Sequence, residues 1–368
     1  MYITAQDIIV QIILILDHAI VIIANTKKGK NMKRILTGDR PTGQLHIGHY
    51  VGSLQTRVAL QNDYETFILI ADVQALTTHF ERPELINESI YNVAMDNIAA
   101  GLDPEKVTFI QQSMVPAIAE LTIFYSMLTT VNHLLINPTI KSESRNYGFG
   151  ENDGDFSYDF SKLTYGFLGY PVSQTADITF CNADLVPVGE DQVPHLEFSR
   201  KLVRKFNELY GTSITVPDYK LSQVPRLAGL DGNSKMGKSL GNALYLSDTP
   251  EEVWNKVRNA KTDTNRISVK TPGNPDVCAV YHYHKAFNAG EVENVCSMCK
   301  NAQMGCVACK KLLNEKLNAL LDPMRERRSK YEANPSLIKE IVAEGTKKAN
   351  EIGNENIRQI KEKMHVTM

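Results

Sequence analysis

The sequence predicts an α/β fold, in which a doubly wound parallel sheet is followed by a C-terminal all-helical domain. Strand-like and helix-like segments alternate from Met32 onward, which is the order expected of parallel strands joined by right-handed crossovers. Past Trp254 the strand signals fade and only helical patterns remain. A chain of 368 residues has room for two or three domains of ordinary size.

Each element has its own local signal. The first strand, at 33–38, is short and ends in a glycine-containing turn, and a helix at 46–60 carries apolar residues at helical spacing. A second helix begins at Pro83 and ends before Gly101, a residue typical of helix C-termini. The other expected elements are strands at 66–71 and 106–111 and helices at 189–210, 251–260, 277–287, 311–321 and 336–364. Residues 142–160, rich in Ser, Gly, Asn and Asp, are expected to form a mobile loop within an insertion.

Composition restricts the class of protein. Hydrophobic content of 43% and charged content of 22% are those of a soluble globular protein. The net charge of −2 excludes a global basic field, although a local basic patch is enough to bind nucleic acid. Five of the six cysteines lie between Cys278 and Cys309, which indicates metal or redox chemistry in a reducing compartment.

Residues 1–31 do not fit the α/β pattern. The aliphatic run at 8–24 is shorter than the roughly 20 residues of a membrane span, and Asp17 lies near its middle. Its lysines follow the run instead of preceding it, unlike those of a secretory signal. Because the codons before Met32 would resemble a ribosome-binding tract, we expect Met32 to be the true start and 1–31 to lie outside the fold. The alternative is an amphipathic or membrane-associated extension, and mass spectrometry of the native N-terminus distinguishes the two.

Two histidines flank Ile47-Gly48 at the beginning of the first long helix. His46 and His49 are three residues apart, so both rings face one side of the first turn. Ligands of open α/β sheets bind at the carboxyl ends of the strands, and a helix N-terminus favours phosphate. Imidazoles at this position can donate hydrogen bonds to a phosphate whose charge grows during displacement. The alternative is that two surface histidines happen to begin a helix.

A second motif, SKMGKSL at 234–240, follows far downstream. Lys235 and Lys238, with Gly237 between them, form a flexible cationic loop. By itself this loop is equally well interpreted as a solvated basic turn. The two motifs together, in this order on an α/β chain, indicate phosphoryl or nucleotidyl transfer.

The two motifs and the blocks around them resemble those of bacterial-type tryptophanyl-tRNA synthetases, a family of class I aminoacyl-tRNA synthetases. The similar blocks are 37–50, 112–116 (QSMVP), 170–177 (YPVSQTAD), 184–192 (DLVPVGEDQ), 235–239 and 260–264 (AKTDT). The resemblance covers residues 32–368. The family usually has Ser at the position of Gly237, but both lysines of the motif are kept.

The resemblance implies a Rossmann-type catalytic domain at 32–245, with an inserted dimerisation or connective segment near 113–185, and a helical anticodon-binding domain at 246–368. It implies a cytoplasmic homodimer, with no membrane association, that uses ATP and Mg²⁺. Such an enzyme attaches L-tryptophan to tRNA(Trp) through a tryptophanyl-adenylate. The alternatives are tyrosyl-type specificity, because that family shares the fold, and a catalytically silent paralogue that binds RNA.

The resemblance also implies residue roles. The catalytic residues would be His46, His49, Lys235 and Lys238, and the ATP site would add Arg40, Gly48, Gly189, Asp191, Gln192, Met236, Gly237 and Ser239. The tryptophan site would comprise Leu36, Gln112, Tyr170, Gln174 and Asp177. The carboxylate of Asp177 would accept a hydrogen bond from the indole N–H at the bottom of an apolar pocket. Without the surrounding block, Asp177 would be interpreted as a helix-capping residue.

The cysteines form two Cys-x2-Cys pairs, at 296–299 and 306–309, with Cys278 upstream. From spacing alone the last four cysteines could hold Zn²⁺ or an iron–sulfur cluster. Some synthetases of the family carry a [4Fe-4S] cluster on an upstream Cys and a Cys-x6-Cys-x2-Cys run. That resemblance implies a [4Fe-4S] cluster on Cys278, Cys299, Cys306 and Cys309, with Cys296 unused and Zn²⁺ as the alternative. The basic stretches 310–311 and 325–330 either contact RNA phosphates or form solvated helix faces.

Overall fold

The structure, a computed structural model, describes residues 32–153, 155–221, 227–232, 236–237 and 240–367. The N-terminal extension 1–31 lies outside these residues, so the hypothesis about its translation stays a prediction.

In the residues that the structure describes, seven strands form two sheets. They are β1 (Arg34–Asp39), β2 (Glu65–Ile70), β3 (Val107–Gln111), β4 (Gly150–Asp153), β5 (Asp155–Tyr158), β6 (Leu185–Val188) and β7 (Asp218–Leu221). Five of them form a central sheet in the order β3-β2-β1-β6-β7, and every pair in it is parallel. Strands β2 and β3 are almost entirely buried, as expected of a parallel sheet covered by helices on both faces.

Thirteen helices, not counting short 3-10 turns, are found in the described part of the chain. Helix α1 has three consecutive parts, Ile47–His49, a π-helical Tyr50–Leu54 and Gln55–Leu60. The others are α2 (Asp72–His79), α3 (Pro83–Ala99), α4 (Pro116–Ser126), α5 (Val131–Leu135), α6 (Pro138–Asn146), α7 (Tyr165–Thr179), α8 (Val193–Tyr210), α9 (Pro250–Arg258), α10 (Ala279–Phe287), α11 (Val292–Lys300), α12 (Cys306–Glu332) and α13 (Pro335–Lys363).

The predicted fold class is confirmed, and most of the strongly patterned elements begin and end within a few residues of their expected limits. The helix expected at 311–321 is much longer, because α12 extends from Cys306 to Glu332. The loop expected at 142–160 is different, because it contains the end of α6 and the antiparallel hairpin of β4 and β5. Its polar composition misled the prediction, since a two-stranded hairpin at the surface needs few apolar residues.

The C-terminal helix α13 returns to the sheet and covers the edge strand β3. At Gly345 the two backbones come so close that a Cβ atom would lie 2.0 Å from the carbonyl oxygen of Phe109. The next residue, Thr346, accepts a hydrogen bond from the N–H of Gln111 through its hydroxyl (3.0 Å). The edge is therefore protected from pairing with another chain. The division of the chain at 245–246 stays a prediction.

None of the helices in the described part of the chain combines the length and the apolar composition that a membrane span requires.

Candidate active site

The predicted site residues follow the carboxyl ends of the central strands. His46 lies beyond β1, Gln112 directly follows β3, and Gly189 directly follows β6. Because these strands are parallel and neighbouring, their carboxyl ends meet at one edge of the sheet. The chain crosses to opposite sides of β1 on going from β2 to β6, which is the position where open α/β sheets bind ligands.

The two histidines form a reciprocal cap at the beginning of α1. Nδ1 of His46 accepts a hydrogen bond from the N–H of Gly48 (3.1 Å), and Nδ1 of His49 accepts one from the N–H of His46 (3.1 Å). The two ring centroids are 3.8 Å apart. Because both Nδ1 atoms are acceptors, each neutral ring carries its proton on Nε2. Each ring is therefore held by the backbone in a tautomer whose Nε2–H is a donor.

The segment that follows the lysine loop pairs with the segment that carries the histidines. The N–H of Ile47 donates to the carbonyl of Leu244 (2.8 Å), and the N–H of Leu246 donates to the carbonyl of Leu45 (3.0 Å). Met236 of the lysine loop packs on the same turn, since a Cβ atom at Gly48 would lie 3.4 Å from its sulfur. The two motifs, about 190 residues apart in sequence, thus meet at one place in the fold.

The lysine side chains themselves are not described. Lys235, Lys238 and Ser239 lie outside the described residues, so their predicted contacts stay predictions. The described Gly237 donates its N–H to the side chain of Asn242 (2.9 Å), which in turn donates to Asp231 (3.0 Å).

The turn after β6 carries the residues predicted near the ribose. Gly189 allows a close approach there, because a Cβ atom would lie 2.8 Å from a carboxylate oxygen of Asp191. Gln192 donates to the other oxygen of that carboxylate (3.3 Å). Asp191 is exposed, and so is Arg40 beyond β1, so both can reach a ligand in the crevice.

The predicted indole acceptor, Asp177, is buried on α7. Its two oxygens accept hydrogen bonds from the side-chain amides of Gln112 (2.6 Å) and Gln74 (3.4 Å). Gln112 also accepts from the N–H of Gln74 (3.0 Å). The two glutamines therefore orient the carboxylate from the ends of two neighbouring strands.

No cation hydrogen bonds to or forms an ion pair with Asp177 among the described residues. Burial raises the pKa of its carboxyl to about 7, the amides of Gln112 and Gln74 oppose the shift, and the charge of Asp72 adds to it. A buried carboxylate with amide partners and no counter-charge is a candidate ligand-binding group.

Tyr170 lies on the same face of α7 as Gln174 and Asp177, because the spacing is i, i+4 and i+7. Its hydroxyl is 2.7 Å from Nε2 of His195. Burial lowers the pKa of His195 to about 4, so the ring is neutral at physiological pH. Leu36, also predicted for this site, is buried in β1 within the largest apolar core.

Two residues of this pocket were not predicted. Gln74 follows the carboxyl end of β2, so the general position of ligand sites in parallel sheets could have indicated it. His195 had no such signal, because its contact with Tyr170 joins two helices and depends on their packing.

Four cysteines line one cavity in the helical region. Cys278 precedes α10, Cys299 is on α11, and Cys306 and Cys309 are in the first turn of α12. Burial first, and then the neighbouring sulfurs, raise the pKa of the Cys309 thiol to about 12. The four predicted ligands therefore lie together, although three of them come from two helices and the fourth precedes a third helix.

Arg266 extends into the same cavity. Its guanidinium lies 3.7 Å from the sulfur of Cys299 and 3.8 Å from that of Cys306. Cys296 does not line the cavity and has a hydrogen bond with Tyr281 instead. Within the residues that the structure describes, no group of three or more His, Cys, Asp or Glu side chains is arranged to hold a metal ion.

The basic stretch 325–330 has intramolecular partners. Arg325 donates to the carbonyl of Asp248 (2.7 Å), and Arg327 donates to the carbonyl of Ala99 (2.8 Å). Arg328 forms a buried ion pair with Asp96. These three arginines thus bind other parts of the chain, and the interpretation of the stretch as a solvated helix face is wrong for them.

The family model of tRNA synthetases class I (W and Y) matches residues 27–322. The chain belongs to this family of synthetases. The tryptophan–tRNA ligase of Streptococcus mutans is 44% identical over an alignment of 342 residues, and the match covers 90% of this chain and 98% of that one. The tryptophan–tRNA ligase of Clostridium longisporum is 43% identical over an alignment of 335 residues, and the match covers 89% of this chain and 95% of that one.

Among solved structures, this synthetase is similar to the tryptophanyl-tRNA synthetase of Campylobacter jejuni complexed with ADP and tryptophan. The TM-score is 0.77 at 28% identity, and the match covers 90% of this chain and 99% of the other. The predictions of a class I synthetase fold and of a tryptophan–tRNA ligase are confirmed by these relatives.

Proposed function

We propose that this synthetase attaches L-tryptophan to tRNA(Trp) in two steps. In the first step the tryptophan carboxylate attacks the α-phosphorus of ATP, an O–P bond forms, and pyrophosphate leaves. In the second step a ribose hydroxyl at the 3′ end of the tRNA attacks the carbonyl of the adenylate, and AMP leaves. ATP would bind together with Mg²⁺, which neutralises phosphate charge. The observation that carries the proposal is the meeting of the two nucleotide motifs at the edge of the sheet from which Gln112 and Gln74 bind the Asp177 carboxylate.

The phosphate end of the site would use His46 and His49. Their backbone-held Nε2–H groups are donors beside a helix beginning, and a pentavalent α-phosphorus would carry more charge than the ground state. Gly48 leaves the backbone open between them. Lys235 and Lys238 would hold the departing pyrophosphate, with Met236, Gly237 and Ser239 as the rest of their loop. The packing of Met236 against Gly48 supports this placement.

The nucleoside end would use the turn after β6 and the loop after β1. Gly189, Asp191 and Gln192 would contact the ribose and the adenylate, and Arg40 would reach the phosphates. Their location at the same edge of the sheet as the histidines supports this assignment.

The tryptophan pocket would have Asp177 at its bottom, where the carboxylate accepts the indole N–H. Gln112 would orient that carboxylate, while Tyr170 and Gln174 would contact the amino acid from α7 and Leu36 would form an apolar wall. Phenylalanine would leave the buried carboxylate without this partner, and that loss is the physical basis of its rejection.

The test is amino-acid-dependent ATP–pyrophosphate exchange across the twenty amino acids. We expect exchange with tryptophan only, and we expect the His46→Asn variant to reduce it at least a hundredfold. Exchange with tyrosine would replace the tryptophan assignment by the tyrosyl alternative. No exchange with any amino acid, in folded protein that still binds tRNA, would support the silent paralogue.

We also propose a cytoplasmic homodimer that binds tRNA(Trp) through the helical domain at 246–368. The catalytic domain would be 32–245, with the dimer contact in the inserted segment near 113–185. Large apolar side chains that are more than half exposed support this location, namely Met114, Ile123, Met127, Val131 and Ile136. Analytical ultracentrifugation of the wild type and of Met127→Glu tests it, and a wild-type monomer would refute it.

Cys278, Cys299, Cys306 and Cys309 would hold a [4Fe-4S] cluster that positions the anticodon-binding helices. Their common cavity supports this ligand set, and the place of Cys296 outside it favours Cys278 as the fourth ligand. The four thiolates that bind a four-iron cluster lie farther apart than those that bind one metal ion. This wider spacing is compatible with the finding that no described side chains are arranged to hold a single metal ion. The cation of Arg266 would offset part of the thiolate charge.

Anaerobic purification with iron, sulfide and zinc analysis tests the cluster. We expect a brown protein, whose colour is lost in Cys278→Ser and kept in the matched control Cys296→Ser. A colourless protein loaded with zinc would establish the Zn²⁺ alternative.

A further inference from the structure

A buried ion pair connects the helical region to the sheet domain. Asp96 on α3 and Arg328 on α12 are 232 residues apart, and their side chains are 0% and 6% exposed. Burying two charges costs free energy that their attraction often fails to recover. Apolar side chains would pack here at no such cost, so the pair calls for an explanation other than stability.

The second carboxylate oxygen of Asp96 gives such an explanation. It accepts a hydrogen bond from the N–H of Leu45 (2.7 Å), the residue directly before His46. Leu45 is buried, so its N–H has no access to water. A charge-assisted hydrogen bond of this kind is shorter and stronger than one between neutral groups.

Arg328 is itself oriented by further bonds. Its Nη2 donates to the side chain of Asn92 (3.0 Å), and its Nε donates to Glu332 (2.7 Å). With three different partners, the planar guanidinium has one orientation, and it determines where the Asp96 carboxylate lies.

Helix α12 also supports the backbone at Leu45 from its other side, through the segment 246–248. The carbonyl of Leu45 accepts from Leu246, and three residues before Arg328 the side chain of Arg325 donates to the carbonyl of Asp248. Leu45 is thus held on one side by Asp96 and on the other by a segment that α12 also binds. The segment continues from the lysine loop, so one helix contacts the supports of both nucleotide motifs.

We propose that Asp96 and Arg328 are positioning residues for adenylate formation. The Asp96 carboxylate fixes the Leu45 backbone and thereby the ring of His46, and Arg328 fixes the carboxylate. Neither side chain touches the reactants. The inference rests on the proposed role of His46 at the ATP phosphates. A displacement of about 1 Å at such a group can cost on the order of a hundredfold in rate.

Two double variants separate positioning from stability, because both remove the buried charges. Asp96→Asn with Arg328→Gln keeps an oxygen acceptor for the Leu45 N–H, whereas Asp96→Ala with Arg328→Met does not. We expect the Ala/Met protein to show at least a tenfold lower kcat/KM for ATP in tryptophan-dependent exchange, and we expect its tryptophan Kd, measured without ATP, to change less than twofold. The conservative Asn/Gln protein should recover exchange to within threefold of wild type.

Ala/Met protein that is folded and has wild-type kcat/KM for ATP would overturn the proposal. Equal losses of kcat/KM in both double variants would also overturn it, because they would make charge or stability the cause.

If the Ala/Met protein does not fold, the proposal is tested instead by amide hydrogen exchange of peptide 41–50 in the Arg328→Lys variant. Faster exchange together with a lower kcat/KM for ATP supports positioning, and unchanged exchange of that peptide overturns it. His46→Asn is measured in parallel, and unchanged activity there would refute the proposed function of His46 instead.

Discussion

Two carboxylates near the same edge of the sheet, Asp39 and Asp177, are both buried but have opposite partners. Asp39 forms an ion pair with Arg57 (2.6 Å), whose guanidinium is 3% exposed, and it also accepts from Asn97. Burial would raise its pKa, but the charge and hydrogen bonds of Arg57 outweigh that effect and lower the pKa to about 2. Among the described residues, the side-chain partners of Asp177 are the amides of Gln112 and Gln74, and burial raises its pKa to about 7.

The difference separates a structural carboxylate from one suited to bind a ligand. Asp39 ends β1, and together with Arg57 it fixes the start of the loop that leads to His46, just as Asp96 fixes its end at Leu45. Burying the charge of Asp177 costs free energy that its hydrogen-bond partners in the protein do not fully offset. A ligand N–H can recover part of that cost, which makes the carboxylate selective for a donor.

The largest expected effect comes from removing the cation of the structural pair. Arg57→Ala leaves the buried Asp39 charge uncompensated, and we expect the free energy of unfolding to fall by about 3–5 kcal/mol at pH 7 in urea denaturation. The loss should shrink as the pH falls from 4 toward 2, where Asp39 becomes protonated. The matched control is Lys316→Gln, because its pair with Glu291 is 38% and 43% exposed, and its loss should be about 0–1 kcal/mol. Equal losses of unfolding free energy in Arg57→Ala and Lys316→Gln would show that the buried and the exposed ion pair do not differ in this respect.

Removing the ligand-binding carboxylate should affect activity and leave the fold intact. We expect Asp177→Ala to lower kcat/KM for tryptophan in pyrophosphate exchange by roughly a hundredfold to a thousandfold, the size of losing a hydrogen bond to a charged group within a well-packed pocket. Circular dichroism should remain that of the wild-type fold. Exchange at the wild-type rate would show that the pocket is misassigned.

Neutralising the same carboxylate should stabilise the protein. Because the folded-state pKa of Asp177 is raised, its ionisation opposes folding, and stability is lost as the pH rises from about 4 through about 7. Asp177→Asn should therefore gain on the order of 2 kcal/mol at pH 8 and little at pH 4. Thermal unfolding at the two pH values measures the gain, and an equal change at both would mean that charge is not its cause.

The smallest effect concerns the pH dependence of tryptophan binding. The ionised form of Asp177 would accept the indole N–H best, so the affinity should be nearly constant above pH 8 and fall by up to about tenfold between pH 8 and pH 6. Equilibrium dialysis with labelled tryptophan measures it, with Asp177→Asn as the pH-independent control. An affinity that does not change between pH 8 and pH 6 would show that Asp177 is not the indole acceptor.

Much of the fold could be predicted because its elements have local causes. Helix α8 ends at Gly211, whose φ of 64° is left-handed, and Pro83 begins α3 as expected of a first-turn proline. Strand β6 was missed because it is four residues long and contains Pro187. Helices α2 and α11 were missed because they are only eight and nine residues long.

By itself the sequence determined the alternation of strands and helices, the two motifs of the nucleotide site and the crowding of the cysteines, because each depends on neighbours a few residues apart. Only the tertiary structure decided which groups meet. The tautomers of His46 and His49, the raised pKa of Asp177 and the position of Cys296 outside the cavity that Cys278 lines all depend on burial and on partners from distant segments. The Asp96–Arg328 pair is the clearest case, since no local pattern links residues 232 positions apart and only the packing of α12 against α3 brings them together.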